Sequence, residues 1–246
     1  MRFPVTTLHQ HQADIRLVDP IRSQARKPQV GANQNAGHRE GERLESVPDQ
    51  VLLAHLLGLI GGSTDPQNLA DRLLGHFGTL ANVIGAPTSR LDEAGLHDAL
   101  GRRSLRVIRE VAARLARSEL VDQPIFLAHT ALLTYCQIRL AREGVDQVRI
   151  LFLDEQKRLI VDELHQSGTV GFVYIYHREV FRRALDLNAS HLVVARGRPT
   201  GLPQLMDDDL DTAKRFEEAG DVLGIGLYDY LVIGPGGCGS YRFKAA

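Results

Sequence analysis

The hydrophobic period of the chain changes once, near Gly144, from the spacing of helices to the alternation of strands. That switch separates a helical half from a half that must build a sheet. Upstream, Leu52, Leu56 and Ile60 recur at steps of four, followed by Leu69, Leu73, Leu74 and Phe77, with Gly61, Gly62, Ser63 and Gly78 as breaks. Residues 103–120 predict a longer helix with Leu105, Ile108, Val111, Ala112 and Leu115 on its apolar stripe. Arg103, Arg106, Glu110, Arg114 and Arg117 take its opposite face. A connector then leads into a helix over residues 130–142.

Downstream, residues 148–153 read as a strand, 154–157 as a hairpin turn and 158–165 as its partner. Residues 170–176 predict a third strand, 178–187 a helix with Val180, Phe181 and Ala184 inward, and 191–195 another strand. A helix over 207–219 and strands over 227–233 and 241–243 complete the pattern, an α+β arrangement of a mixed sheet with packed helices. The organisation expected is a tail (1–46), a helical module (47–120), a connecting helix (121–144) and an α+β domain (145–246). The tail has no periodic face with which to offset its ordering entropy. Its His9, His11 and His38 lack the rigid frame on which metal ligands converge.

Composition narrows the function classes. With 246 residues of which 43% are hydrophobic, the chain can bury a sizeable core. Its 29 Lys and Arg against 30 Asp and Glu give a net charge of -1, so any binding of nucleic acid must come from a local patch. Such a patch is available: six Arg and one Glu lie between Arg102 and Arg117. Arg102, Arg103, Arg106, Arg114 and Arg117 are its candidate phosphate contacts, with a solvated charged face as the plain alternative. Cys136 and Cys238 form neither a metal knuckle nor a disulfide framework, which favours a reducing, cytoplasmic setting. Cys136 reads as core beside Leu132 and Leu133. The longest apolar run, 51–60, is far below a bilayer span, and no membrane partner is expected.

The segments Val148, Arg149, Ile150, Leu151, Phe152, Leu153, Asp154, then Arg158 to Glu163 with Gly168 and Thr169, then 178–189, then Ala219, Gly220, Leu223, Gly224 and Ile225, and finally Asp229 and 232–234 occur collinearly. In order and spacing the chain from Asp146 onward resembles the RadC family, whose core is a JAB/MPN (JAMM) domain. The helical region resembles the helix-hairpin-helix module that this family carries upstream. The resemblance implies a zinc metallohydrolase of peptidase type, associated with DNA repair. In JAMM sites two histidines of a His-x-His-Pro turn and an aspartate ten residues beyond hold zinc, leaving one position for water. A glutamate on a neighbouring strand is the general base, and a serine three residues before the aspartate supports the oxyanion.

In this chain the turn reads Ala195, Arg196, Gly197, Arg198, Pro199, so both zinc histidines are arginines. Met206 stands at the serine position, Asp209 at the ligand aspartate, and Glu163 corresponds to the base. Guanidinium has no lone pair to donate and stays charged, so Arg196 and Arg198 do not bind metal. No cofactor is expected, although the family uses zinc. Arg196 and Arg198 are instead expected to pair with Asp209 and Glu163, with an outward-drifted, solvated loop as the alternative. A relocated site drawing on His165, His177 and His191 is a third possibility; His165 should share a strand face with Glu163.

The run Asp207, Asp208, Asp209 at a helix start is expected to complement the helix dipole, with Asp207 as N-cap. Ala99, Leu100 and Gly101 match the phosphate-approaching turn of a helix-hairpin-helix with one of its two glycines missing. Gly234, Pro235, Gly236 and Gly237 follow a strand and read as a hairpin turn rather than a phosphate loop. The functional expectation is therefore a degenerate RadC-like protein acting as an interaction module for an unidentified protein partner. An active metallopeptidase with rearranged ligands and a DNA-binding accessory protein are the alternatives.

Overall fold

A computed structural model describes residues 44–60, 64–121 and 123–242. The tail expected over 1–46 lies outside these residues up to position 43, as do its three histidines; Leu44–Ser46 form a single 3-10 turn. Helices α1 (Asp49–Ile60), α2 (Pro66–Phe77), α3 (Leu80–Gly85), α4 (Thr88–Glu93) and α5 (Ala99–Val121) share one core of Leu53, Leu57, Leu69, Leu73, Val83, Leu91 and Leu105. Their ends are set locally. The Asp65 carboxylate caps α2 at the Asn68 amide, Pro66 occupies the first turn, and Thr79 caps α3 at Asn82.

Helix α5 turns differently from its expected stripe. Gly101, Leu105, Ala113 and Leu120 are buried, whereas Val111 and Leu115 are exposed. Leu105 is claimed by the helical core and Ala113 and Leu120 by the sheet-facing core, so contacts at two successive sites choose the buried face. The Gly101 amide donates to the Asp98 carboxylate at 2.6 Å, which already fills the start of this helix.

Helix α6 (His129–Leu140) leads to a five-stranded mixed sheet of β1 (Gln147–Leu153), β2 (Leu159–Ser167), β3 (His191–Gly197), β4 (Gly226–Gly234) and β5 (Gly237–Ser240). The spatial order is β2-β1-β3-β4-β5; only the β3/β4 pair is parallel, joined through α8 (Asp207–Leu223). Helix α7 (His177–Asp186) enters between β2 and β3. Two expected strands are corrected. Residues 170–176 form no ladder beyond the Thr169 and Phe172 bridge, yet Val173 and Ile175 are buried while Phe172, Tyr174 and Tyr176 are exposed. The alternation is thus met by an extended segment packed through side chains. The last strand is Gly237–Ser240, paired with β4 across the Pro235 and Gly236 turn; Tyr241 and Arg242 lie beyond it in a bend, and Phe243 is outside the described residues.

Alternation along the strands sends side chains to two cores. Leu151, Leu153, Val193 and Ala195 meet α5 and α6 through Ala113, Leu120, Leu132, Tyr135 and Cys136. Val148, Ile150, Phe152, Leu192, Val194 and Tyr230 meet α7 and α8 through Val180, Phe181, Ala213 and Phe216. The first face also carries a polar junction: buried Asp162 of β2 accepts from Arg117 of α5 and from Arg149 of β1, each at 2.6 Å, and from the Tyr135 hydroxyl of α6. Burial alone would raise the Asp162 carboxyl, but hydrogen bonds from Tyr135, Arg117 and Arg149 outweigh it and hold the group below its ordinary value.

Glu110 of α5 behaves similarly. Hydrogen bonds from Arg139 and then Arg114 lower its carboxyl from 4.5 to about 2. A folded value below the unfolded one means stabilisation that is present above 4.5 and lost as pH falls towards 2. Because the side chain is 41% exposed, solvent screening limits its share to about 1 kcal/mol or less. Urea unfolding of Glu110→Gln at pH values above and within this window should show a smaller acid-induced loss than the parent chain; an equal loss would contradict the pairing.

Candidate functional site

Asp209 lies in the first turn of α8 and is fully buried. Its Oδ1 accepts from Arg196 Nη1 at 3.0 Å and from the Tyr230 hydroxyl at 3.2 Å. Its Oδ2 accepts from Arg198 Nη2 at 2.8 Å and from the Met206 amide at 2.9 Å. One carboxylate therefore has four donors, which takes up its acceptor capacity. A second fully buried carboxylate, Asp146, accepts from Arg196 Nη2 at 3.2 Å and from the Gly171 amide at 3.2 Å. Two guanidiniums and two carboxylates make a neutral cluster, the arrangement under which charges can be taken out of water.

Local structure positions each member. Arg196 follows Leu192 and Val194 on the β3 face that meets α7 and α8, so alternation aims it at the start of α8. Gly197 between the two arginines lets α6 approach, since a Cβ there would lie 2.9 Å from that of Leu140. Arg198 leaves the strand with its amide bonded to the Ile233 carbonyl at 2.7 Å and donates Nη1 to the Gln204 carbonyl at 2.9 Å. Its stem crosses Gly201, where an added Cβ would sit 2.3 Å from Arg198 Cδ. Asp146 is fixed just before β1 by reciprocal backbone bonds with Thr169 and Gly168.

The electrostatics follow from this packing. Burial works against the charge of Arg196, but Tyr230, Asp209 and Asp146 outweigh it and raise its pKa. Burial, followed by the neighbouring Asp209 charge, pushes the Tyr230 phenol well up, so it remains a donor.

The remaining expected site residues lie elsewhere. Glu163 does not join the cluster: Arg183 of α7 grips it, with Nε 3.1 Å from both carboxylate oxygens and Nη2 2.6 Å from Oε1. It shares the sheet face of the cluster through its register with Ile150, but α7 supplies a nearer cation. Asp207 is the first residue of α8 and not its N-cap; that position belongs to Met206, whose side chain is exposed and whose amide donates to the Asp209 carboxylate. Met206→Ser should therefore stabilise α8 by about 0.5–1 kcal/mol through a bond to the Asp209 amide. A thermal melt checks this; no gain would contradict the cap assignment.

The three histidines do not converge. His165 accepts from the Tyr176 amide at 3.2 Å, His177 lies against the Phe216 ring, and His191 contacts the Asp154 carbonyl. The α5 arginines diverge as well. Arg102 binds Asp92 and the His97 carbonyl, Arg114 binds Glu110, and Arg117 turns inward to Asp162. Arg103 and Arg106 are exposed and carry no hydrogen bond or ion pair among the described residues. Asp146 was invisible as a site residue in the sequence, being 50 positions from its arginine.

Zinc needs lone pairs from several converging ligands at about 2 Å. At this site the two flanking positions offer guanidinium nitrogens, which have none, and Asp209 is saturated by hydrogen bonds. The donor set does not fit the ion. Among the described residues no group of three or more His, Cys, Asp or Glu side chains has metal-holding geometry. No helix there is long and apolar enough to cross a membrane.

A family model described as "RadC-like JAB domain" matches residues 126–245. A UPF0758 protein of Rhodobacter capsulatus is 39% identical over 199 residues, covering 80% of this chain and 92% of the relative. A UPF0758 protein of Ruegeria pomeroyi is 36% identical over 190 residues, covering 77% and 84% respectively.

Proposed function

The chain belongs to the RadC-like JAB domain family, and we propose that it is a non-catalytic member in which an ion-pair cluster has replaced the zinc centre of metallopeptidase-type relatives. The observation that carries this reading is the saturation of Asp209 by two arginines standing at the family's histidine positions. The cluster supplies the positive charge that two buried carboxylates require, so the domain keeps its frame without an ion. The candidate base is engaged as well, since Glu163 is clamped by Arg183. What remains is a binding module for a protein partner. The exposed row of Phe172, Tyr174 and Tyr176 supplies the apolar surface such a module presents. A DNA-repair association of the kind the resemblance implies would then operate through binding rather than hydrolysis.

The test is restoration of the centre. Arg196→His, Arg198→His and Met206→Ser together should convert the chain into one that takes up stoichiometric zinc, read by elemental analysis after dialysis. A folded triple variant that stays metal-free would overturn the claim that this cluster occupies a former metal centre. Peptidase activity of the parent chain that disappears on chelation would instead identify an active enzyme with rearranged ligands.

A further inference from the structure

On the opposite face of the sheet from the arginine–aspartate cluster, a groove of 700 Å³ runs between α5, the end of α6 and the β1/β2 edge. Its volume falls in the range of small-molecule sites, about 300–1,000 Å³. Six arginines and two glutamates line it, in a chain whose net charge is -1. Four of the arginines spend Nη groups on carboxylates: Arg102 on Asp92, Arg109 on Glu143, Arg139 on Glu110 and Arg149 on Asp162.

Two guanidiniums are left over: Arg103 and Arg106 carry no partner among the described residues. Exposed guanidiniums without a partner present forks of donors to an anion, and Arg103 and Arg106 stand one turn apart on α5 at this groove. The ligand they fit is anionic and offers several oxygens, because both guanidiniums are charged and each carries a fork of donors. The start of α5 adds nothing to this count, since Asp98 already fills it.

We propose that this groove binds the phosphates of a nucleotide or of a single nucleic-acid strand, with Arg103 and Arg106 as its phosphate contacts. This differs from a nucleic-acid face running along the outside of α5, which would recruit Arg114 and Arg117. The proposal is independent of the fate of the metal centre.

The experiment follows binding of a labelled strand of about 15 nucleotides to the full chain by fluorescence anisotropy at about 50 mM and higher salt. A nucleoside triphosphate is titrated as competitor. Arg103→Ala with Arg106→Ala should weaken binding at least about tenfold and lower the salt slope by about 1.4, two phosphates at about 0.7 each. Leu164→Glu, an exposed position lining the groove, should weaken binding comparably without touching an arginine. Arg114→Ala, which lies outside the groove, should change it less than about twofold. Direct triphosphate binding without strand binding, lost in the same variants, also supports the site and identifies the smaller ligand. Binding of neither probe, or binding unaltered in both groove variants, overturns the proposal.

Discussion

Changing Asp209 to Asn is expected to lower the free energy of unfolding by about 3–5 kcal/mol, among the largest effects available to a single substitution in this chain. The residue is fully buried, and its charge answers two guanidiniums whose side chains are 13% and 7% exposed. Removing that charge leaves Arg198 with no carboxylate and Arg196 with Asp146 alone. For a chain of this length the loss corresponds to a fall in Tm on the order of 10 °C. A second variant separates lost charge balance from lost shape. Asp209→Asn combined with Arg198→Met removes both members of one pair and leaves Arg196 with Asp146 as a neutral pair, so it should be more stable than Asp209→Asn alone. A single-variant loss under about 1 kcal/mol would mean that the cluster is solvated and its arginines are ordinary surface charges.

Asp162 is the second position where one carboxylate carries several elements. Its replacement by Asn should cost about 3 kcal/mol, because Arg149 and Arg117 lose the one carboxylate they bind among the described residues and the Tyr135 hydroxyl loses a charged acceptor. The partners lie on α5, α6 and β1, so the damage should concentrate where the helices meet the sheet. Hydrogen exchange would register it as faster exchange in the second half of α5 and in α6, with α7 and α8 unaffected. Tyr135→Phe, which removes one donor from the same carboxylate, should cost only about 1 kcal/mol. Uniform acceleration across both sheet faces would contradict a local role for Asp162.

The helices and most strands are legible in the sequence because their burial is one-sided and local. The 148–153 run carries a pattern that its packing rewards, whereas in α1 the buried residues are Leu53, Ala54 and Leu57 in place of the expected stripe of Leu52, Leu56 and Ile60. Legibility ends where a contact from elsewhere decides. Val111 and Leu115 look like core in the α5 pattern, but the sheet packs against Ala113 and Leu120 instead. Residues 170–176 alternate like a strand, yet the packed side is satisfied without a ladder.

The site divides in the same way. That Arg196, Arg198 and Asp209 belong together was implied by the resemblance of their positions to the JAMM turn and its aspartate. The partner of Arg196 other than Asp209 was not. Glu163 lies on the matching sheet face, but Arg183 competes for it through α7, and Asp146 reaches the cluster from the turn before β1. Competition between charges for one another is a three-dimensional property, and no local pattern records it.

Elemental analysis of the parent chain, purified with zinc supplied throughout and then dialysed, reads the replacement of ion by arginine most directly. Because guanidiniums already occupy the carboxylate that a ligand set would need, the metal should remain far below one equivalent per chain and chelator treatment should leave the melting temperature unchanged. One equivalent of tightly held zinc, removable by chelator with loss of stability, would contradict it.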